Sequence, residues 1–274
     1  MRLLFCGDIV GRPGREAVTS RLPGLRKALA LDFVIVNGEN AAGGFGITAK
    51  ICDELFAAGV DAISGGNHSW DQREALGYID REPRLLRPLN YPAGTPGRGA
   101  TVFDVPGGRK ILVLNVMGRL FMDPLDDPFA CVERELGKHR LGVTVQAIVV
   151  DIHAETTSEK MAMSHFVDGR ASLCVGTHTH VPTADAMILP GGTAYQSDAG
   201  MCGDYDSVIG MDKAAPVARF TRKLPTDRLS VASGEGTLCA VYVEIDNKTG
   251  RATKIAPVRA GGRLSPTLPD VTPK

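Results

Sequence analysis

Leu173-Cys174-Val175-Gly176-Thr177-His178-Thr179-His180 is an apolar run that stops at a glycine and turns into hydroxyls and imidazoles. The same change of character follows four other short runs. Leu3 to Cys6 leads into Gly7-Asp8, Phe33 to Val36 into Asn37-Gly38-Glu39-Asn40, Ala62 to Ser64 into Gly65-Gly66-Asn67-His68, and Ala147 to Val150 into Asp151-Ile152-His153. Runs that are apolar almost throughout mark strands covered on both faces. The segments between several of them suit helices, so the pattern is that of an α/β protein. Ligands of open α/β sheets bind outside the carboxyl ends of the strands, and clusters distant in sequence are therefore expected at one rim.

Thr101 to Val105 and Lys110 to Val116 flank Pro106-Gly107-Gly108 and read as a hairpin added to that sheet. Thr48 is placed to cap a helix from Ala49, with Ile51, Leu55 and Phe56 on its inner face and Gly59 at its end. Thr157 or Ser158 starts another running towards His165, and Gly14 to Ala28 is helical in pattern with a kink or break expected at Pro23. Beyond residue 184 the pattern turns to hairpins, with turns at Pro190-Gly191-Gly192 and Asp246 to Gly250 and a long strand from Thr237 to Ile245. That part is expected to form a second sheet packed on the first, since no linker-like stretch divides the chain. The expectation is one domain over 1–274, a layered α/β/β/α sandwich of two packed mixed sheets flanked by helices, with residues from about 262 to 274 as an extended tail.

The 274 residues are 43% apolar and 23% charged, enough to bury a core without disulfides. Basic and acidic residues both number 31, so the overall charge balance offers nothing to a polyanion. The start of the chain reaches Asp8 after four apolar residues, too few for a signal-peptide core, and no later run approaches a membrane span. A soluble, cytoplasmic protein with no membrane partner is expected. The six cysteines include no Cys-x-x-Cys pair and read as buried small hydrophobes, Cys6 and Cys174 included.

The expected rim gathers Asp8, Glu39, Asn40, Asn67, His68, His153, His178 and His180. Carboxylates, amides and imidazoles without a thiolate suit metal ions, iron first with manganese or zinc as alternatives, and they are numerous enough for two. In an extended segment His178 and His180 point the same way and Thr179 points away. Two divalent ions against Asp8 and Glu39 leave an excess of about +2 for a hydroxide and an anion. That is the balance of a phosphate-ester site, in which two metals roughly 3.5 to 4 Å apart generate hydroxide between them for in-line attack. Glu39 is the candidate shared carboxylate. Any one of these residues alone has a plain structural reading, Asp8 and Asn67 as caps, Glu39 as a solvated loop carboxylate, and His153 as a core imidazole. Order, strand-end placement and glycine context together favour the metal reading.

Asp8, Glu39-Asn40, Gly66-Asn67-His68, His153 and His178-Thr179-His180 resemble, in order, the motifs of the calcineurin-like metallophosphoesterase superfamily. Two departures stand out: Asp8-Ile9-Val10 lacks the usual first-motif His, for which Asn40 is a substitute, and Glu39 stands where Asp is usual. Gly7 to Gly11, Asn37 to Ala42, Gly66 to Asp71, Asp126 to Phe129, Asp168 to Ser172, Gly176 to Val181 and Gly210 to Asp212 together are similar to the YmdB-like bacterial subfamily. The resemblance implies a di-iron or other di-metal phosphodiesterase acting on 2′,3′-cyclic nucleotides, including RNA-derived products, as a homo-oligomer. Carried over by motif, Asp8, Glu39, Asn40 and His180 would hold one metal, and Glu39, Asn67, His153 and His178 the other. His68 would donate a proton to the departing oxygen. In many superfamily members an acidic residue directly follows that His; here Ser69 intervenes and Asp71 comes later, leaving its orienting partner open.

Alternatives are a phosphomonoesterase on the same metals and a regulatory protein with weak phosphodiesterase activity. A barrel amidohydrolase is disfavoured because its His-x-His comes early in the chain. Arg15, Arg119 and Arg170 receive no role, the Gly11 to Gly14 stretch is a weak anion-site signal, and Trp70 is at least as well explained by loop packing.

Overall fold

A computed structural model describes residues 1–223 and 228–271. In its first half β1 (Arg2–Ile9), α1 (Gly11–Ala28), β2 (Phe33–Asn37), α2 (Ala49–Ala57), β3 (Ala62–Ser64) and α3 (Ala75–Ile79) are followed by β4 (Ala100–Val105), β5 (Arg109–Met117) and α4 (Pro128–Leu136). Then come β6 (Ala147–His153), α5 (Thr157–Phe166), β7 (Leu173–Thr177), β8 (Met187–Ile188), β9 (Ala194–Gln196), β10 (Met201–Cys202), α6 (Ala214–Arg222), β11 (Leu238–Ile245) and β12 (Ala252–Ala260).

Two mixed sheets result. One runs β12-β11-β1-β2-β3 with β10 also on β1, and the other β4-β5-β6-β7-β9-β8. The strand period of two explains the layering. Leu3 and Phe5 of β1, Phe33 and Ile35 of β2 and Val241 and Val243 of β11 meet Ile111, Val113, Val149, Leu173 and Val175 of the other sheet in one buried core. The alternate residues Leu4, Cys6, Val34 and Val36 pack outward on Ala17, Val18 and Leu22 of α1 and Ile51, Cys52 and Leu55 of α2. Leu112, Leu114, Ile148 and Val150 do the same on Val132 of α4 and Met163 of α5. The α/β/β/α sandwich is thus built from strands that are apolar on both faces.

The allotment of strands differs from the sequence expectation. The five runs expected in one sheet are split, β1, β2 and β3 in the first sheet and β6 and β7 in the second, and the β4–β5 hairpin is added to the latter, β5 pairing in parallel with β6, Ile111 opposite Ala147. The residues beyond 184 are divided, β8 and β9 extending the second sheet and β11 pairing antiparallel with β1, Arg2 opposite Glu244. Strand character is local, but the choice of neighbour rests on pairings between distant segments. Helix α1 starts three residues before Gly14 and passes Pro23 unbroken. Pro23 and Gly24 are exposed, so the N–H that the proline lacks is not lost from the buried face of the helix.

Helix α2 begins where expected, Thr48 Oγ1 accepting the Ile51 N–H at 3.3 Å. The described end of the chain turns through bends at 261–264 and is fastened: Thr267 pairs with Arg259, the Lys254 ammonium donates to the Asp270 carbonyl, and Val271 packs on the core. Residues 272–274 of the expected tail lie outside the described residues. All six cysteines are buried, and burial pushes the Cys174 thiol up, away from nucleophilic use. Among the described residues no helix is long and apolar enough to cross a membrane.

Candidate metal centre

The carboxyl ends of strands from both sheets meet, joined directly by the Ser64 hydroxyl of β3 donating to the Asp151 carboxylate of β6 at 2.5 Å. Around this junction the structure brings together every residue of the expected rim. Asp8, wholly buried at the end of β1, accepts the His178 N–H at 3.2 Å through Oδ2. Asn37 closes β2 and accepts the Glu39 N–H at 3.1 Å, turning that carboxylate inward. Glu39 in turn accepts the His68 N–H at 2.9 Å and the Asn40 amide at 3.0 Å. Asn67 Oδ1 lies 2.9 Å from His153 Nε2 at the end of β6.

The chain can pass this closely only without a side chain at Gly66. A Cβ there would lie 2.2 Å from Glu39 Oε2 and 2.4 Å from His153 Nε2. Gly176 has the same role behind the histidine loop, where a Cβ would meet the Ser197 carbonyl oxygen at 1.7 Å.

His178 and His180 both face the junction and Thr179 turns away, its hydroxyl donating to Asp198 at 2.6 Å. The backbone, however, is not the extended segment expected. Strand β7 ends at Thr177, and His178 and His180 adopt left-handed φ values of 96° and 65°. Asp198 holds this loop by also accepting the Thr179 N–H at 3.1 Å, and is itself paired at 2.8 Å with the buried Lys160.

The outer nitrogens of these histidines meet acceptors. His178 Nε2 lies 3.2 Å from Glu155 Oε2, and His180 Nδ1 donates to the Ile209 carbonyl at 2.8 Å. Each acceptor draws the ring hydrogen outward and leaves a lone pair on the inner nitrogen. Inside, His178 Nδ1 lies 3.1 Å from His153 Nε2, which is 3.2 Å from Glu39 Oε1. One donor atom each from Glu39, His153 and His178 fall within 4.8 Å of one another, close enough to share one ion. Beside them Asp8 Oδ1 and His180 Nε2 are 3.9 Å apart, and the Asn40 amide nitrogen is 3.2 Å from His180 Nε2.

A buried volume lined by lone pairs needs positive charge in it. Asp8 Oδ1 is buried without a hydrogen-bond partner, and burial pushes the Asp8 carboxyl up to about 6. Burial also opposes charge on Glu39 and His153, yet their mutual attraction wins, holding Glu39 down to about 2 and His153 up to about 9. Burial, with the neighbouring His153 charge, pushes His178 down to about 3. Buried carboxylates and imidazoles this close together favour a cation between them, and the donor set fits metal ions bound through oxygen and nitrogen.

His68 lies at the exposed side, its ring 30% accessible, with Nδ1 2.8 Å from Asp71 Oδ2 and an edge contact to Phe45 at 5.1 Å. Asp71 is therefore the orienting partner that sequence left open. Glu155, Asp198 and Phe45 carry no sequence signal of their own. Asp151 carried one, a carboxylate inside an otherwise apolar strand. Arg15, Arg119 and Arg170 are engaged elsewhere, with Ala41 and Glu54, Asp127, and Glu133 respectively. Trp70 packs against the first-sheet core, its ring 6.1 Å from that of Tyr91.

Residues 4–258 match the family described as YmdB-like protein. A protein of Bacillus subtilis (strain 168) named 2′,3′-cyclic-nucleotide 2′-phosphodiesterase is 48% identical over 255 residues, covering 93% of this chain and 95% of its own. A crystal structure of a hypothetical protein from Thermus thermophilus superposes with a TM-score of 0.88 at 45% identity, over 95% of this chain and 99% of that one. A structure from Mycoplasma pneumoniae described as a novel phosphatase also has a TM-score of 0.88, at 34% identity, over 95% of this chain and 93% of its own. The motifs at the strand ends, the sheet order and these matches agree: the chain belongs to the YmdB-like family.

Proposed function

We propose that this chain is a metal-dependent phosphodiesterase that hydrolyses 2′,3′-cyclic nucleotides, carried by one domain over residues 1–274. The observation behind it is the convergence of Glu39, His153 and His178 beside an unpartnered Asp8 oxygen, next to His68, whose Nδ1 lies 2.8 Å from Asp71 Oδ2. The substrate class follows the name of the Bacillus subtilis relative. Asp8, Glu39, Asn40 and His180 would hold one ion, and Glu39, Asn67, His153 and His178 the other, with iron first and manganese or zinc as alternatives. Asn40 serves as a ligand through its carbonyl oxygen, a half-turn of the amide from the arrangement in which its nitrogen faces Glu39. Bound ions supply Lewis acidity for phosphoryl oxygens and acidify water at neutral pH.

The residues divide the remaining tasks. Glu39, between the two groups, fixes their separation. His68 protonates the departing ribose oxygen, which leaves slowly as an alkoxide. With Nδ1–H directed at Asp71 the proton passed on is the one at Nε2, and partial exposure lets solvent restore it. The protein is read as a cytoplasmic homo-oligomer acting on RNA-derived nucleotides, and its mass in solution tests the assembly.

A phosphomonoesterase on the same site is the second reading, favoured by the description of the Mycoplasma pneumoniae structure. Parallel assays of metal-loaded and chelator-treated protein on 2′,3′-cyclic AMP, bis-p-nitrophenyl phosphate and p-nitrophenyl phosphate separate the two. Metal-dependent cleavage of both diesters is expected; turnover of the monoester alone would replace the first reading with the second.

A further inference from the structure

Asp151 is wholly buried in the middle of a sheet, a costly position for a carboxylate. Its Oδ2 accepts from Asn37 Nδ2 at 3.3 Å, Ser64 Oγ at 2.5 Å and Asn115 Nδ2 at 3.1 Å, and its Oδ1 accepts from Thr177 Oγ1 at 2.7 Å. Neighbouring strands of both sheets therefore supply donors to a group that touches none of the converging ligand atoms. It is linked to His153 through Thr177, whose Oγ1 is 2.9 Å from His153 Nδ1, and to the Glu39 backbone through Asn37.

A hydroxyl has a single hydrogen. Thr177 gives its hydrogen to Asp151, so towards His153 it can only accept. His153 Nδ1 must then carry the ring hydrogen. The pocket by itself favours the opposite tautomer, because Asn67 Oδ1 at 2.9 Å and Glu39 Oε1 at 3.2 Å both invite a hydrogen on Nε2. An imidazole in that state has no lone pair for an ion.

We infer that Asp151, acting through Thr177, fixes the hydrogen of His153 on Nδ1 and aims its Nε2 lone pair at the metal cluster. Both are positioning residues. The inference rests on the reading of this site as a metal centre, but the tautomer part stands on the hydrogen bonds alone.

The test uses the full chain with zinc as probe and the variants T177V, T177S and D151N. Equilibrium dialysis against a competing chelator gives zinc affinity, and nitrogen-resolved NMR of the histidine rings, in the zinc-loaded chain and in the metal-free chain at a pH above the raised pKa of His153, gives the hydrogen position. Wild type and T177S are expected to show an exchange-protected Nδ1 hydrogen on His153 and to bind zinc alike. T177V and D151N are expected to lose that protected hydrogen and to bind zinc about 10- to 100-fold more weakly, the usual effect of removing an outer-shell partner of a ligating histidine. D151N keeps the shape of the buried side chain and serves if T177V does not fold. Zinc affinity in T177V and D151N within about threefold of wild type would overturn the inference. A loss in T177S as large as in T177V would overturn it too. Absence of zinc binding in wild type would instead overturn the reading of the site, while the wild-type hydrogen on Nδ1 would still support the tautomer assignment and its absence would refute it.

Discussion

His68 and Asp71 show how one contact sets a role. The His68 ring is bound to Asp71 at 2.8 Å, outside the cluster of donor atoms from Glu39, His153 and His178. His68→Ala is expected to retain its metals and lose about 10²- to 10⁴-fold in turnover, the range for a positioned proton donor. Asp71→Asn removes a charge-assisted bond of about 1.5–3 kcal/mol, which corresponds to roughly a ten- to hundredfold slower reaction. Elemental analysis beside steady-state kinetics checks both, and metal loss in the His68 variant would move that residue into the ligand set. His68 was legible in the sequence because Gly66-Asn67-His68 follows a strand. Asp71 was not: the turn that brings it round, with Ser69 N–H bonding to Gly66 and Asp71 N–H to His68, is a matter of backbone path. The left-handed φ values at His178 and His180 were hidden for a similar reason, since Asp198, which holds the loop between them, is distant in the chain and is joined to it only through folding.

Strand ends and helix starts respond differently to substitution. Gly66→Ala puts a methyl 2.2 Å from Glu39 Oε2, and metal content and turnover are expected to fall together. Thr48→Ala, at the start of α2, is expected to cost about 1 kcal/mol of stability and leave turnover unchanged, because the Thr48 hydroxyl is spent on the helix cap, accepting the Ile51 N–H. Denaturant midpoints and metal analysis of the two variants distinguish them. The five apolar runs and their polar ends could be read from local pattern, as could the cap at Thr48. The membership of β4, β5, β11 and β12 could not, because both faces of every central strand are apolar and the pattern carries no label for the sheet a strand joins.

The molecule as a whole is two sheets sharing one core, and the candidate metal centre lies where their strand ends meet. Lys160 of α5 ties this arrangement to the histidine loop through its buried pair with Asp198. Lys160→Met leaves that carboxylate without its cation and is expected to destabilise the fold by about 3–5 kcal/mol, read from denaturant unfolding of the metal-free chain. Removing the ions from the native protein is likewise expected to lower its melting temperature, since they bind only the folded state.

Anomalous diffraction from crystals grown with iron or manganese, collected at the metal edge, reports the number and ligands of the ions together. Two peaks flanking Glu39, one beside Asp8 and His180 and the other beside His153 and His178, are the expected result. Crystals in which the metal is present in solution but no peak stands among these side chains would contradict the central claim.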